Sequence, residues 1–121
     1  MSTNNIEENK LYELALNFLQ NMEFEVEEKI IMVGNSGKKH YFDLIAKSHS
    51  DLEIKEILVK IIDWKRAVGV DILIRFERVL KEFNGKKGMI ISNKFSESAE
   101  KFAKRRGLII YEREHLKIPQ D

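Results

Sequence analysis

Three stretches of the chain carry apolar residues at the spacing of an amphipathic α-helix. The first runs from about residue 6 to residue 22, and its stripe repeats at about 3.6 residues per turn. The second covers residues 70–83 and ends before Asn84-Gly85, a pair suited to stopping a helix. The third follows Ser96, a favourable N-cap, and ends at Gly107. The pattern therefore predicts three helices, each with one buried face.

Five shorter stretches have the composition and periodicity of β-strands. Turn residues at Asn35-Ser36-Gly37 and a polar stretch at 47–53 separate the first three, which predicts an antiparallel meander. The helix between the third and fourth strands predicts a right-handed parallel crossover. A short helix is expected at the end of the chain. The order α-β-β-β-α-β-α-β predicts an α/β fold, a mixed sheet flanked by helices, with strands at 24–33, 40–46, 56–64, 88–92 and 108–111.

Composition limits the possible chemistry. The length of 121 residues is typical of a single domain spanning 1–121. The absence of cysteine excludes disulfides, thiolate nucleophiles and Cys-based zinc sites. The three histidines lack the spacings of metal-binding motifs, so a His-rich metal site is not expected. No apolar run reaches the ~20 residues that span a bilayer, and the polar N-terminus does not resemble a signal peptide, which favours a cytoplasmic protein.

The net charge of +1 conceals a segregation of charge along the chain. The first 28 residues carry seven glutamates against Lys10 alone, whereas thirteen basic residues outnumber six acidic ones between Lys60 and Arg106. Segregated charge can form a basic face that binds phosphates. It can equally be a solvated surface with ion pairs such as Asp71–Arg75. Both interpretations stay open at this point.

Four stretches resemble the restriction-endonuclease-like superfamily, within it the Mrr-type and archaeal Holliday-junction-resolvase-like branches. They are YELALNFLQNMEFEV (12–26), GNSGKKHYFDLIA (34–46), ILVKIIDWKRAVGVD (57–71) and KGMIISNKFSESAEKFAKRRGLIIY (87–111). The resemblance implies a restriction-endonuclease-like fold with an αβββαβ core. It also implies duplex or branched DNA as the ligand, a homodimer, and Mg²⁺-dependent hydrolysis of phosphodiester bonds in an active member.

The site implied by this resemblance combines carboxylates with a lysine. An acid on the second strand and an acid-x-lysine on the third hold Mg²⁺ and help activate water, and a glutamate of the first helix often completes the set. Asp43 stands at the position of the second-strand acid, and an aspartate among apolar residues is costly without a role. Glu13 matches the helix glutamate, or is one more charge on an exposed helix face.

The third strand departs from the family pattern. The resemblance puts the acid and the lysine at positions 60 and 62, where this chain has Lys60 and Ile62. A literal acid-x-lysine follows as Asp63-Trp64-Lys65, but Asp63 and Lys65 would face away from Asp43 unless a bulge intervenes. Three interpretations stay open: a lost metal site, in which Lys60 could pair with Asp43; a site rebuilt with Asp63 as a second metal ligand and Lys65; or a different register.

Several cations and one aromatic residue are candidates for nucleic-acid contact. Trp64-Lys65-Arg66 suits phosphate contact or stacking on an unpaired base, although a lone Trp at a strand end also suits packing. The candidate nucleic-acid contacts are Lys38, Lys39, Lys60, Trp64, Lys65 and Arg66. Two functional hypotheses follow: a DNA-binding endonuclease-like homodimer, or a non-catalytic homologue that binds nucleic acid or a protein partner. A tRNA-splicing-type nuclease, using residues such as Tyr111 or His115, is a more distant alternative.

Overall fold

The computed structural model describes residues 10–49 and 53–117, and helices and strands follow one another there in the predicted order. Two 3₁₀ turns, Lys81–Phe83 and Arg113–Leu116, complete the secondary structure of this part. The helices and strands are α1 Leu11–Asn21, β1 Glu25–Val33, β2 Lys39–His49, β3 Ile54–Ile62, α2 Val70–Leu80, β4 Lys87–Ser92, α3 Glu97–Arg106 and β5 Ile109–Glu112.

The strands form one mixed sheet in the order β1-β2-β3-β4-β5. β1, β2 and β3 pair antiparallel, whereas β3, β4 and β5 pair parallel. The antiparallel meander and the parallel crossover through α2 are thus confirmed. α1 and the terminal 3₁₀ turn pack on one face of the sheet, and α2 and α3 pack on the other, so two hydrophobic cores lie on opposite sides.

The ends of α3 are built as the sequence predicts. Ser96 Oγ accepts a hydrogen bond from the Ala99 amide at 3.1 Å, which caps the first turn. Gly107 follows the last turn with φ of 74°, a left-handed conformation that favours glycine. α2 is shorter than predicted, because its last residues tighten into a 3₁₀ turn before Asn84. The expected terminal helix is also a 3₁₀ turn rather than an α-helix.

The second and third strands have different limits from those predicted. Polar residues at the end of β2 continue the ladder with β3, up to the pair His49↔Ile54. β3 ends at Ile62, whose carbonyl accepts the Ser92 hydroxyl at 2.7 Å, so Asp63 and Trp64 follow the strand instead of belonging to it. Residues 6–9 of the predicted first helix and residues 50–52 of the second turn lie outside the described residues.

β2 changes its facing at Asp43. Phe42 belongs to the core beneath α2 and α3, whereas Leu44 belongs to the core beneath α1, although residues two apart in a regular strand face the same side. On the neighbouring strand β1, Glu28 pairs with Leu44 and Ile30 pairs with Phe42. Lys29 lies between them and has a φ of 54°. A positive φ at a lysine is uncommon and marks a local irregularity. It is not a bulge, because Glu28↔Leu44 and Ile30↔Phe42 leave one residue on each strand between them. The irregularity lies in β1 and β2 rather than in β3.

Within the described residues, no helix is long and apolar enough to span a membrane.

Candidate functional site

The carboxyl ends of the parallel strands meet at one edge of the sheet. Because β2 runs antiparallel to β3, the amino end of β2 lies at this same edge. We call residues 38–41, 60–66, 93–94 and 113 the carboxyl edge. Ligands of α/β proteins commonly bind at such an edge. All predicted site residues except Glu13 and Asp43 belong to the carboxyl edge, and Asp43 lies two residues from it.

The strands β2 and β3 separate next to Asp43. Their last ladder pair is Leu44↔Val59. Beyond that pair, Asp43 Oδ2 accepts a hydrogen bond from the Ile61 amide at 2.7 Å. The carboxylate therefore takes the place of a backbone acceptor and holds the two strands together where the backbone ladder stops.

Tyr41 bonds to this carboxylate, and Tyr12 lies within reach of its charge. Burial raises the pKa of Tyr41 above its ordinary value, and the charge of Asp43 and a hydrogen bond to it add to the effect. The pKa of Tyr12 is also raised, first by burial and then by the hydrogen bond of its hydroxyl to Glu28 Oε1 at 2.6 Å. Both hydroxyls therefore stay protonated near neutral pH and act as donors to carboxylates.

The first helix reaches this region through Tyr12, not through Glu13. Tyr12 is half-buried, and the charge of Asp43 is among the groups that raise its pKa. Glu13 is exposed on α1. Tyr12 was missed as a site residue by sequence reasoning, although it is the immediate neighbour of the predicted glutamate.

Positions 60 and 62 carry a cation and an aliphatic side chain. Lys60 Nζ donates to the Tyr41 carbonyl at 3.4 Å and lies 5.7 Å from the centre of the Tyr41 ring. It forms no ion pair with Asp43, so the structural replacement considered for the metal is not formed. Ile62 packs against the core beneath α2 and α3.

The residues around Asp43 do not fit a divalent cation held as in the family pattern. Mg²⁺ prefers several oxygen ligands, usually including carboxylates. Here the two third-strand positions supply an ammonium and a hydrocarbon, and one oxygen of Asp43 is bound to the Ile61 amide. A cation at position 60 would also repel a metal ion from the place where the second carboxylate belongs.

Asp63 belongs to a hydrogen-bonded group centred on Asn93. The Asn93 amide nitrogen donates to Asp63 Oδ1 and to the Trp64 carbonyl, both at 2.7 Å. The Asn93 side-chain oxygen accepts from Arg113 Nε at 2.7 Å. Sequence reasoning missed Asn93 and Arg113, which directly follow β4 and β5 as Asp63 follows β3. That shared position was the available signal, because parallel strands end at one edge.

Trp64, Lys65 and Arg66 form a loop that is fixed at both ends. The Arg66 guanidinium carbon lies 4.1 Å from the centre of the Trp64 ring, a stacked cation–π arrangement. Lys65 and Arg66 are exposed, whereas Trp64 is half-buried against the core. After the loop, the Val68 amide donates to the Lys94 carbonyl at 2.9 Å and joins it to the segment that follows β4.

Lys38 and Lys39 are exposed at the amino end of β2. The preceding turn is held by Glu82, which accepts hydrogen bonds from the side chain and backbone of Ser36 and lies 3.3 Å from His40 Nε2. The Ser36 hydroxyl is the main cause that lowers the pKa of Glu82 below its usual value. The turn therefore presents two lysines whose side chains form no ion pair in the described structure.

A cleft of about 640 Å³ opens between α2 and the gap that separates β2 from β3. We call it the apolar cleft. Its apolar walls are Phe42, Ile62, Ile72, Phe76, Val79 and Ile90. Its more polar lining includes Lys39, Tyr41, Lys60, Asp63, Trp64 and Arg75.

A separate cluster of possible metal ligands lies at the end of β5. Within residues 10–49 and 53–117, Glu112, Glu114 and His115 have ligand atoms within 4.8 Å of one another. Two of these side chains already cap the 3₁₀ turn: the Glu112 side chain accepts from the His115 amide, and His115 Nδ1 accepts from the Glu112 amide at 3.3 Å. Glu112 also accepts from the Phe95 amide at 2.9 Å. The cluster does not include Asp43, Glu13 or Asp63.

Residues 3–117, nearly the whole chain, match a family model, Mrr_cat, described as restriction endonuclease. The chain belongs to the restriction endonuclease family. The resemblance to the Mrr-type branch is thereby confirmed. No curated protein matches the chain.

Solved structures agree with this restriction endonuclease fold. The crystal structure of a protein of unknown function, AF1548, superposes with a TM-score of 0.67 at 22% identity, over 84% of this chain and 57% of that one. A repair endonuclease from Pyrococcus abyssi gives 0.50 at 18% identity, over 92% and 49%. The DNA modification-dependent restriction endonuclease AspBHI gives 0.54 at 13% identity, over 92% and 30%. At these identities the likeness shows the fold alone, and the chain spans 30 to 57% of those proteins.

Proposed function

We propose that this restriction endonuclease homologue binds DNA through its carboxyl edge and does not cleave it. The observation that carries the proposal is the environment of Asp43. Its carboxylate is bound to the Ile61 amide, while Lys60 and Ile62 occupy the positions of the family's acid and lysine. Cleavage in this family depends on a metal held by two carboxylates, and of the two positions that the resemblance assigns to them only 43 carries a carboxylate in this chain.

The charges of the carboxyl edge support DNA as the ligand. Lys65 and Arg66 are exposed on a loop that hydrogen bonds fix at both ends. Lys38 and Lys39 lie at the same edge, and Lys60 of β3 donates to the Tyr41 carbonyl of β2. Exposed lysines and arginines held on rigid elements suit contacts to DNA phosphates, which dominate the affinity of such complexes.

The proposal is tested by DNA binding with a matched pair of lysine variants. Fluorescence anisotropy of labelled duplex and four-way branched DNA is measured over a series of salt concentrations. Lys65→Ala is expected to weaken binding and to make the slope of log K against log salt about one unit shallower, because one phosphate contact is lost. Lys87→Ala removes an exposed lysine at the opposite end of β4 and should leave the slope unchanged. Equal effects of the two variants would contradict an interface at the carboxyl edge.

The alternative is a Mg²⁺-dependent endodeoxyribonuclease with a rebuilt site. It would use Asp43 and Asp63 as metal ligands, Lys65 beside the attacked phosphate and Glu13 as an auxiliary acid. The position of Asp63 supports this alternative. Side chains of a strand point to alternate faces of the sheet, but Asp63 follows β3, so its side chain is not restricted to the face opposite Asp43. Against the alternative stand the hydrogen bond of Asp63 to Asn93 and its proximity to the Arg113 guanidinium, 3.9 Å away.

We also propose the homodimer that the resemblance implies and the cytoplasmic location that the sequence favours. A two-fold dimer would present two carboxyl edges to two strands or two arms of DNA. Binding of a protein partner instead of DNA is the remaining alternative, and it predicts no salt-dependent affinity for nucleic acid.

A further inference from the structure

We infer that the apolar cleft binds one unpaired nucleobase of a DNA strand, together with its adjoining phosphate. The inference rests on the proposed DNA binding and adds which part of the DNA enters the protein. It follows from three properties of the cleft: its apolar walls, the charged residues of its lining, and the aromatic residues that also line it.

The size and walls of the apolar cleft suit a flat ring system. Its volume of about 640 Å³ falls within the range of roughly 300–1,000 Å³ found for small-ligand sites. The cleft exists because β2 and β3 separate after the pair Leu44↔Val59, and Ile72 and Val79 of α2 cover the gap. Apolar walls with a few polar groups near the opening are the usual surroundings of a bound ring.

The charges around the cleft suit a phosphate. Lys39 and Lys60 contribute positive charge, whereas the charge of Arg75 is paired with Asp71 on the same helix at 3.4 Å. Asp63 is the acidic residue among the cleft-lining residues. The Lys60 ammonium has a neutral carbonyl as its hydrogen-bond acceptor, which leaves its charge uncompensated by a carboxylate. An anion attached to an apolar ring would meet both parts of this lining, and a nucleotide is a ligand of that kind.

Aromatic side chains complete the recognition. Trp64 and Tyr41 line the cleft, and Tyr41 has 45% of its surface exposed. Arg66 covers one face of the Trp64 ring and holds it in place. Stacking on aromatic rings binds bases without regard to their sequence.

The two departures from the family pattern create these properties. A lysine at position 62 would put a charge into the wall of the cleft, and an acid at position 60 would repel a phosphate. Ile62 instead keeps the wall apolar, and Lys60 attracts a phosphate. Because Lys65 and Arg66 continue the positive surface beyond the cleft, the bound nucleotide is assigned to a longer strand and not to a free nucleotide.

Three labelled duplexes of the same sequence test the inference with the full chain. One is fully paired, one carries a single unpaired base, and one has an abasic site in place of that base. The unpaired-base duplex is expected to bind about tenfold more tightly than either of the others, because only it supplies a ring for the cleft. A nucleoside monophosphate is added as a competitor to separate a base within a strand from a free nucleotide.

Two substitutions on α2 give a matched pair of variants. Ile72→Glu puts a negative charge into the cleft and should abolish the preference for the unpaired base, whereas Ile74→Glu on the same helix lies outside the cleft lining and should retain it. Trp64→Ala should lower the preference as well. Thermal unfolding of each variant checks that the fold is kept.

Each outcome decides the inference. Equal affinity for the three duplexes would overturn it and leave DNA binding intact, whereas no affinity for any duplex would overturn the proposed function as well. Displacement of the unpaired-base duplex by micromolar nucleoside monophosphate would overturn the assignment to a DNA strand. A preference that survives Ile72→Glu in a folded variant would overturn the assignment to this cleft.

Discussion

The hydrogen bond between Asp43 and the Ile61 amide explains why a charged residue stands in the middle of an apolar strand. The carboxylate accepts from the Ile61 amide at the point where the ladder between β2 and β3 ends. A buried amide left without an acceptor is costly, so the aspartate has a structural task that needs no metal. This task accounts for the position as well as the nuclease pattern does.

Substitution of Asp43 separates the structural task from a metal-binding one. Asp43→Ala is expected to lower the free energy of unfolding by about 1–3 kcal/mol, because the Ile61 amide loses its partner. Asp43→Asn keeps an oxygen acceptor and should lose less than half as much. Both values come from urea unfolding with and without Mg²⁺. A stability of the parent chain that rises with Mg²⁺ and depends on the Asp43 charge would contradict the structural assignment.

The residues of the candidate site could be predicted from the sequence, but their hydrogen-bond partners could not. The sequence indicates that positions 60 and 62 depart from the family pattern, and a Lys60–Asp43 ion pair is one arrangement that it allows. Lys60 instead donates to the Tyr41 carbonyl, because the separation of β2 and β3 opens that carbonyl to it. Such a choice depends on distances of a few ångströms between strands that are distant in sequence.

At the scale of the elements, the segments that follow β3, β4 and β5 behave as one unit. Asn93 bonds to Asp63, to the Trp64 carbonyl and to Arg113. The side chain thereby connects the proposed DNA-binding loop to its two neighbours at the carboxyl edge.

Asn93→Ala should loosen this unit. We expect faster hydrogen exchange of the Val68 and Ser96 amides, which bond the loop after β3 to the segment after β4, and weaker DNA binding. Amide exchange followed by NMR measures the first effect and anisotropy the second. Asn17→Ala, at an exposed position of α1, is the control and should change neither. Unchanged exchange in the Asn93 variant would show that the loop is held by other contacts.

The order of the helices and strands could be predicted because the apolar residues of each long segment recur at the spacing of a single type of secondary structure. The change of facing at Asp43 could not, since Lys29 adopts a positive φ without the glycine or asparagine that usually announces one. The predicted end of β3 lies two residues beyond the observed one, because the aromatic Trp64 resembles a strand residue although the ladder stops at Ile62.

At the scale of the molecule, opposite charges are sorted between two regions. Glutamates of β1 pair with β2, as in Glu27 with Lys47 and Glu25 with His49. Glu28 of the same strand accepts the Tyr12 hydroxyl. These three glutamates of β1 thus form their contacts away from Lys65 and Arg66. A net charge of +1 is compatible with a basic carboxyl edge. The sequence predicts the segregation, but only the sheet order determines where each charge lies.

The central claim is that this member of the restriction endonuclease family has kept a DNA-binding surface and lost its metal site. The most direct measurement incubates purified chain with duplex and branched DNA and Mg²⁺ or Mn²⁺, and follows binding and strand breakage in the same sample. The account predicts complexes whose DNA stays intact at every metal concentration. Metal-dependent cleavage that disappears in Asp43→Ala while DNA binding persists would contradict it.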